Sequence, residues 1–240
     1  MSEVRLIAHR GLSSSAPENT LSAFKLACDA GVWGVECDVF QSSDGEFIIT
    51  HDKNLQRMCG VDLDVTTITV ETIKKHRINS GNNIHLYPDE ITPTLDEYLS
   101  LLSNCSGVHP VVEIKDEFIS YETGIKLLQI FDKYYSRDDV WVISESLSNL
   151  MLLRMLDDTI NLQLILINVQ DVSISSLMEN NIGVDVLYKS LTKDMVETLH
   201  QHSIDVNTWT VDIRDVAYTL TYDYGVDYIT SNYPTSLLER

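Results

Sequence analysis

Two histidines, three carboxylates, one arginine and one lysine stand at the ends of short apolar runs. Residues 4–8 run into His9-Arg10-Gly11, residues 32–35 into Glu36-Cys37-Asp38, residues 47–50 into His51-Asp52, and Val111-Val112 into Glu113-Ile114-Lys115. If those ends converge, they make a phosphate site with its own acid–base pair and a place for one hard metal ion. Glu36 and Asp38 are two residues apart, as are Glu113 and Lys115, so on extended chain each pair projects from one face. The apolar neighbours of Glu36 and Glu113 predict central strands, where a solvated face is excluded and a carboxylate needs a partner or a metal. Three carboxylates at neighbouring strand ends repel one another unless a cation intervenes. Oxygen-only ligation suits Mg2+ or Ca2+ rather than Zn2+. Two imidazoles, with an unperturbed pKa of roughly 6.5, suit proton transfer near neutral pH.

Such ends must be carried by strands in a repeating frame. Apolar runs at 4–8, 33–39, 46–50, 109–114, 139–143, 161–167, 183–187, 204–209 and 226–230 read as strands. Helices are predicted from about 21 to 30, from Thr94 onward, and at about 121–135, 146–156, 172–180, 192–202 and 213–223. Asn19 or Thr20 can cap the first helix, and Gly31 falls just past its end. Strands separated by helices imply right-handed crossovers and a parallel sheet. About eight strands over 240 residues favour a closed α/β barrel over an open doubly wound sheet. Residues 53–93, with Gly60, Gly81, Pro88 and Pro93, read as an excursion with a short helix around 70–77. No linker or low-complexity tract divides the chain, so 1–240 is expected to be a single domain with that small insertion. Trp209, at a late strand end, either lines the pocket or packs in the core. Asp212 and Asn232 read as caps of the helices that follow them. His76, His85, His109, His200 and His202 lack paired carboxylates and read as surface or structural residues.

Composition narrows the partners. With 17 Lys and Arg against 36 Asp and Glu, the net charge of −19 argues against nucleic-acid binding. An acidic chain repels anions at long range, so a phosphate site needs local positive charge from Arg10, Lys115 and a divalent cation. Cys28, Cys37, Cys59 and Cys105 show no metal-finger spacing or disulfide framework, and Cys28 and Cys37 read as buried thiols. Neither a signal peptide nor a bilayer-spanning stretch is visible, so a cytoplasmic setting without membrane insertion is expected. Oligomeric state is not legible.

The order of these motifs resembles the glycerophosphodiester phosphodiesterase family. His9-Arg10-Gly11, Pro17-Glu18-Asn19-Thr20, Glu36-Cys37-Asp38-Val39, Asp44-Gly45, His51-Asp52, Glu113-Ile114-Lys115 and Asn207-Thr208-Trp209-Thr210-Val211 carry the likeness. Residues 225–230 and Tyr233-Pro234 resemble the family's closing segment. The resemblance implies a TIM (β/α)8 barrel with a small insertion after the His51-Asp52 motif. It implies metal-dependent hydrolysis of glycerophosphodiesters, such as glycerophosphocholine or glycerophosphoethanolamine, to glycerol 3-phosphate and an alcohol. By position it assigns one divalent cation, Mg2+ or Ca2+, to Glu36, Asp38 and Glu113. It assigns acid–base roles to His9 and His51, and phosphate or substrate contacts to Arg10 and Lys115, with Trp209 as a candidate pocket wall. Three departures stand out: Asn232 where the family usually shows Asp, Glu145 in place of Phe in a Ser-Phe pair, and Val112 where Asn or Asp is frequent. None touches the proposed metal or acid–base set. Two rival readings remain: a barrel phosphodiesterase that cleaves lysophospholipid head groups through a cyclic phosphate, and a non-catalytic barrel that only binds. The polar stretch 79–93 speaks for a small soluble substrate, and no motif residue is lost.

Overall fold

The computed structural model describes residues 4–238. Its first part runs β1 (Arg5–Ala8), α1 (Leu21–Asp29), β2 (Gly34–Gln41), β3 (Phe47–Ile49), α2 (Gln56–Cys59), α3 (Val70–Ile73), α4 (Leu95–Leu102) and β4 (His109–Ile114). It continues through α5 (Tyr121–Phe131), β5 (Trp141–Ser144), α6 (Leu147–Leu156), β6 (Asn161–Leu166), α7 (Ile174–Glu179), β7 (Gly183–Leu187) and α8 (Lys193–Gln201). It closes with β8 (Val206–Trp209), α9 (Arg214–Tyr218), β9 (Tyr228–Ser231) and α10 (Pro234–Leu238).

Strands pair in the order β1-β9-β8-β7-β6-β5-β4-β2, and β1 pairs with β2, which closes an eight-stranded parallel TIM barrel. β3 lies outside this ring, antiparallel on β2, with Val39 opposite Ile49. It departs from the alternation because the Asp44-Gly45 turn, with Gly45 at φ 78°, sends the chain straight back.

Side-chain parity explains how one strand serves both the core and a site. Val35, Cys37 and Val39 pack outward in the main core with Phe24, Leu99 and Leu128 from the helices. Glu36 and Asp38 between them therefore face the barrel axis. The axis is filled in layers drawn from alternate strands. Ile7, Val111, Ile143 and Tyr228 make an apolar cluster inside the barrel, with Trp33 and Trp141 packed against it in an edge-to-face pair at 4.7 Å. Carrying the registers round with a shear of about one residue per strand groups Glu36 with Ile143, Asp185 and Thr230, one layer above Ile7, Val111, Gln163 and Asn207. The interior thus changes from apolar to polar towards the strands' C-terminal ends.

Helix starts follow local chemistry. Thr20, Thr94, Ser120 and Thr192 each accept the N–H three residues on, and Thr94 with Glu97 forms a full capping box. Several predicted helices are shorter in fact. The segment at 70–77 keeps only Val70–Ile73, that at 121–135 ends at Phe131, and that at 213–223 is α9 followed by a wide turn over Thr219–Tyr224. That turn stops at Gly225, which takes φ 80°. The excursion 53–93 gathers a small core of its own, Leu55, Met58, Val65, Ile73 and Ile78, against Phe40 and Ile48. All four cysteines are free; Cys37 is buried, whereas Cys28 is only half-buried.

Candidate active site

Glu36, Asp38 and Glu113 meet at the C-terminal mouth of β2 and β4, where Asp38 is the register partner of Glu113. One carboxylate oxygen from each lies within 4.8 Å of the others. Glu36 is 1% and Asp38 0% exposed. Buried oxygens Glu36 Oε1 and Asp38 Oδ1 have no hydrogen-bond donor. Burial, with repulsion from Asp38 and Glu113, pushes the Glu36 carboxyl well above its ordinary range. Burial and Asp38 likewise push Glu113 up to about 8. Burial also works against charge on Asp38, but Arg10, Lys115, His51 and Asn19 outweigh it and hold that group below the usual carboxylate range. Three mutually repelling carboxyls, with two buried oxygens that no donor reaches, fit a divalent cation of the Mg2+ or Ca2+ kind.

Two cations flank the cluster. Lys115 Nζ donates to Glu113 Oε1 at 2.7 Å and lies 3.7 Å from Asp38 Oδ1. Arg10 Nε lies 3.3 Å from Asp38 Oδ2, and its Nη1 donates to Glu18 Oε1 at 2.8 Å. The Arg10 backbone N–H donates to Glu36 Oε2 at 2.7 Å, which requires the left-handed turn that Arg10 adopts at φ 55°. Gly11 follows at φ 79°, and a Cβ there would meet the Ala23 backbone at 2.7 Å, so the tight turn over α1 excludes any side chain.

His9 leaves β1 beside Arg10, and its Nδ1 contacts Asn232 Oδ1 at 2.8 Å. Burial, then Arg10, holds His9 below the ordinary histidine value. His51 follows β3, and its Nδ1 contacts Asp52 Oδ1 at 2.8 Å. The Asp38 charge favours protonation of His9, and His51 in turn favours the ionised form of Asp38. Asp52 also accepts from Arg57, which donates in turn to Glu18 at 2.8 Å, so a chain of charges joins His51 to Arg10. Trp209 ends β8 and is half-buried, its indole N–H donating to Asp185 O at 3.1 Å.

Several residues prove to do other work than their sequence context suggests. Asn19 does not cap α1; Thr20 does. Asn19 instead donates to Asp38 Oδ2 at 2.7 Å and accepts from the Asp38 N–H at 3.3 Å. Asp212 and Asn232 do not cap helices either. Asp212 Oδ2 accepts from Asn232 Nδ2 and Asp212 Oδ1 from the Asn232 backbone N–H, both at 2.8 Å. No local pattern announces contacts between residues about twenty positions apart; the pairing of β1 with β2 and of β8 with β9 makes them. His109 stacks on Trp33 at 4.7 Å at the other end of the barrel, and His200 pairs with Asp227 at 2.9 Å.

The sequence profile of the glycerophosphoryl diester phosphodiesterase family matches residues 9–236. A glycerophosphodiester phosphodiesterase of Bacillus altitudinis is 28% identical over 96% of this chain and 95% of its own. A phosphodiesterase of Oleispira antarctica, solved with the product sn-glycerol-3-phosphate, superposes with a TM-score of 0.90 at 26% identity over 97% of this chain and 94% of that one. A glycerophosphodiester phosphodiesterase of Parabacteroides distasonis shares the fold, with a TM-score of 0.81 at 21% identity over 98% of this chain and 94% of that one. With the profile spanning all but the chain's two ends, this protein belongs to the glycerophosphoryl diester phosphodiesterase family.

Proposed function

We propose that this protein is a metal-dependent hydrolase that cleaves glycerophosphodiesters, such as glycerophosphocholine or glycerophosphoethanolamine, to glycerol 3-phosphate and an alcohol. The observation that carries this reading is the cluster of Glu36, Asp38 and Glu113, whose ligand oxygens lie within 4.8 Å of one another beside Arg10 and Lys115. The Oleispira relative, solved with sn-glycerol-3-phosphate, supports the product. A divalent ion held by the three carboxylates would supply Lewis-acid stabilisation of the phosphoryl oxygens. Arg10 and Lys115 orient the phosphate and offset its charge in a mouth that the protein's net charge otherwise makes hostile to anions.

His9 takes the base role. Burial keeps it neutral near pH 7, and the bond from Nδ1 to Asn232 leaves the Nε2 lone pair free. It accepts a proton from the attacking water as the new P–O bond forms. His51 acts as the imidazolium: its Nδ1–H donates to Asp52, and its second proton, on Nε2, passes to the alkoxide as the old P–O bond breaks. Trp209 stands at the same end of the barrel and serves as a wall for the glycerol or alcohol group. The strands β1 to β9 and the excursion 53–93 act as one catalytic unit. The four free thiols agree with a reducing, cytoplasmic setting.

Release of glycerol 3-phosphate from glycerophosphocholine, with and without EDTA, tests the reading. Metal-restored turnover is expected; no turnover with either Mg2+ or Ca2+ present sinks it. One observation favours a lysophospholipid substrate and a cyclic phosphate as the second reading. Phe118, Ile167, Ile213 and Tyr233, all on loops after strand C-termini, are 75%, 62%, 58% and 48% exposed. Lysophosphatidylcholine as sole substrate separates the two. Among the described residues, no helix is long and apolar enough to cross a membrane.

A further inference from the structure

Asn232, one of the three positions at which the sequence departs from the family pattern it resembles, is the residue whose side chain touches His9 Nδ1. An asparagine there poses a problem. Its amide presents oxygen on one side and NH2 on the other, and the two orientations demand opposite tautomers of the imidazole. With oxygen towards Nδ1, that nitrogen carries the proton and Nε2 is the lone pair. With NH2 towards it, Nδ1 is the acceptor, Nε2 carries the proton, and His9 cannot act as a base through Nε2.

Asp212 resolves this ambiguity. A carboxylate only accepts, and Asp212 Oδ2 lies 2.8 Å from Asn232 Nδ2, so that end of the amide must be the NH2. Asn232 Oδ1 is then turned to His9 Nδ1 at 2.8 Å and also accepts from Ser13 Oγ at 3.2 Å. The carboxylate is itself held. Its Oδ1 accepts from the Asn232 backbone N–H at 2.8 Å and from Ser231 Oγ at 3.1 Å. The His9 backbone is pinned to the same strand by a bond from its N–H to Ser231 O at 2.9 Å. Only one orientation of the Asn232 amide thus gives both Asp212 Oδ2 a donor and Ser13 Oγ and His9 Nδ1 an acceptor.

We infer that Asp212 is a positioning residue that sets the tautomer of His9 by locking the amide of Asn232. The inference rests on the proposed role of His9 as base. It gives the pair Asp212–Asn232 the task that one carboxylate beside a histidine performs in a hydrolytic triad, where a wrongly protonated imidazole is what destroys turnover. The geometry dictates what Asp212→Asn does. The N–H of residue 232 and Ser231 Oγ both need an acceptor at the Oδ1 place, so the new NH2 falls at the Oδ2 place. It then faces Asn232 Nδ2, and Asn232 must flip and offer NH2 to His9.

The test compares wild type, Asp212→Asn, and the swap Asp212→Asn with Asn232→Asp, in which the carboxylate moved to position 232 again only accepts. Turnover of glycerophosphocholine and the 15N NMR signature of the His9 ring are both read. For Asp212→Asn, kcat should fall at least about tenfold with KM changed less than about twofold, and the His9 proton should move from Nδ1 to Nε2. In the swap, the Nδ1 proton should return and kcat should recover to within about threefold of wild type. An Asp212→Asn protein that keeps the proton on Nδ1 overturns the inference, as does a swap that leaves it on Nε2. The NMR arm needs no turnover. Full activity in His9→Ala therefore defeats the catalytic reading alone, and the tautomer still reports on the lock.

Discussion

The backbone N–H of Arg10 donates to Glu36 Oε2 at 2.7 Å, so one residue both braces a carboxylate of the proposed cation site and turns its guanidinium towards Asp38. Glu36→Gln keeps an acceptor for that N–H while removing the charge. Turnover should fall at least about 100-fold, because the cation site loses one of three ligands. Thermal stability in EDTA should be unchanged or higher, since burial already disfavours the Glu36 charge. The upward shift in Tm that Mg2+ or Ca2+ produces in wild type should shrink or vanish. A variant that keeps the full metal-induced shift would remove Glu36 from the ligand set.

The two histidines should fail separately and without unfolding. His9→Ala and His51→Ala should each reduce kcat by at least about 100-fold. His51 and Asp52 are each about one-third exposed, so losing that pair should cost little stability. Steady-state kinetics beside urea unfolding checks both halves. Near-wild-type kcat in either variant ends the two-histidine mechanism.

How far these features were legible depended on whether they are local. Glu36 and Asp38 announced themselves because period-two spacing inside an apolar run fixes their face before any tertiary contact is known. The barrel was legible for a similar reason, since strand and helix alternate with a regular spacing and parallel pairing then follows. Asn19 was misread. Pro17-Glu18-Asn19-Thr20 looks like a helix start, and a cap can come from either of its last two residues. Thr20 takes the cap because Asn19 sits at φ 56°, outside the extended backbone a cap needs. The Asp212–Asn232–His9 line could not be read at all, because it joins the last strands to the first across the closing seam of the barrel.

Asp185 predicts a pH effect separate from catalysis. It faces the barrel axis with Oδ1 lacking any donor, and burial alone pushes its carboxyl up to about 8. In the unfolded chain an aspartate titrates near roughly 3.9. Between these values the folded state holds a proton that the unfolded state has released. The stability this group contributes is therefore full below about pH 4 and is lost as pH rises through about 8. Asp185→Asn has the same shape and never ionises. It should match wild type at pH 4 and exceed it by about 1 kcal/mol or more at pH 8. Urea unfolding across this range measures the difference; parallel profiles for the two proteins would contradict the assignment.

Asn19 separates hydrogen bonding from backbone strain at the same site. Its side chain bonds both Oδ2 and the N–H of buried Asp38, its N–H donates to Arg10 O at 3.0 Å, and its φ is 56°. Asn19→Gly removes the side-chain bonds but suits the left-handed backbone. It should destabilise by about 1–3 kcal/mol, the usual result of stripping donors from a buried acceptor. Asn19→Ala loses the same bonds and forces a Cβ into that conformation, which should add about 1 kcal/mol more. Both variants should lose turnover alike, because Asp38 loses the amide that orients it whichever residue replaces Asn19. Paired urea unfolding and kinetics test this. If alanine and glycine destabilise equally, the positive φ carries no cost. If either keeps wild-type kcat, Arg10 and Lys115 suffice to hold Asp38 and the amide is dispensable.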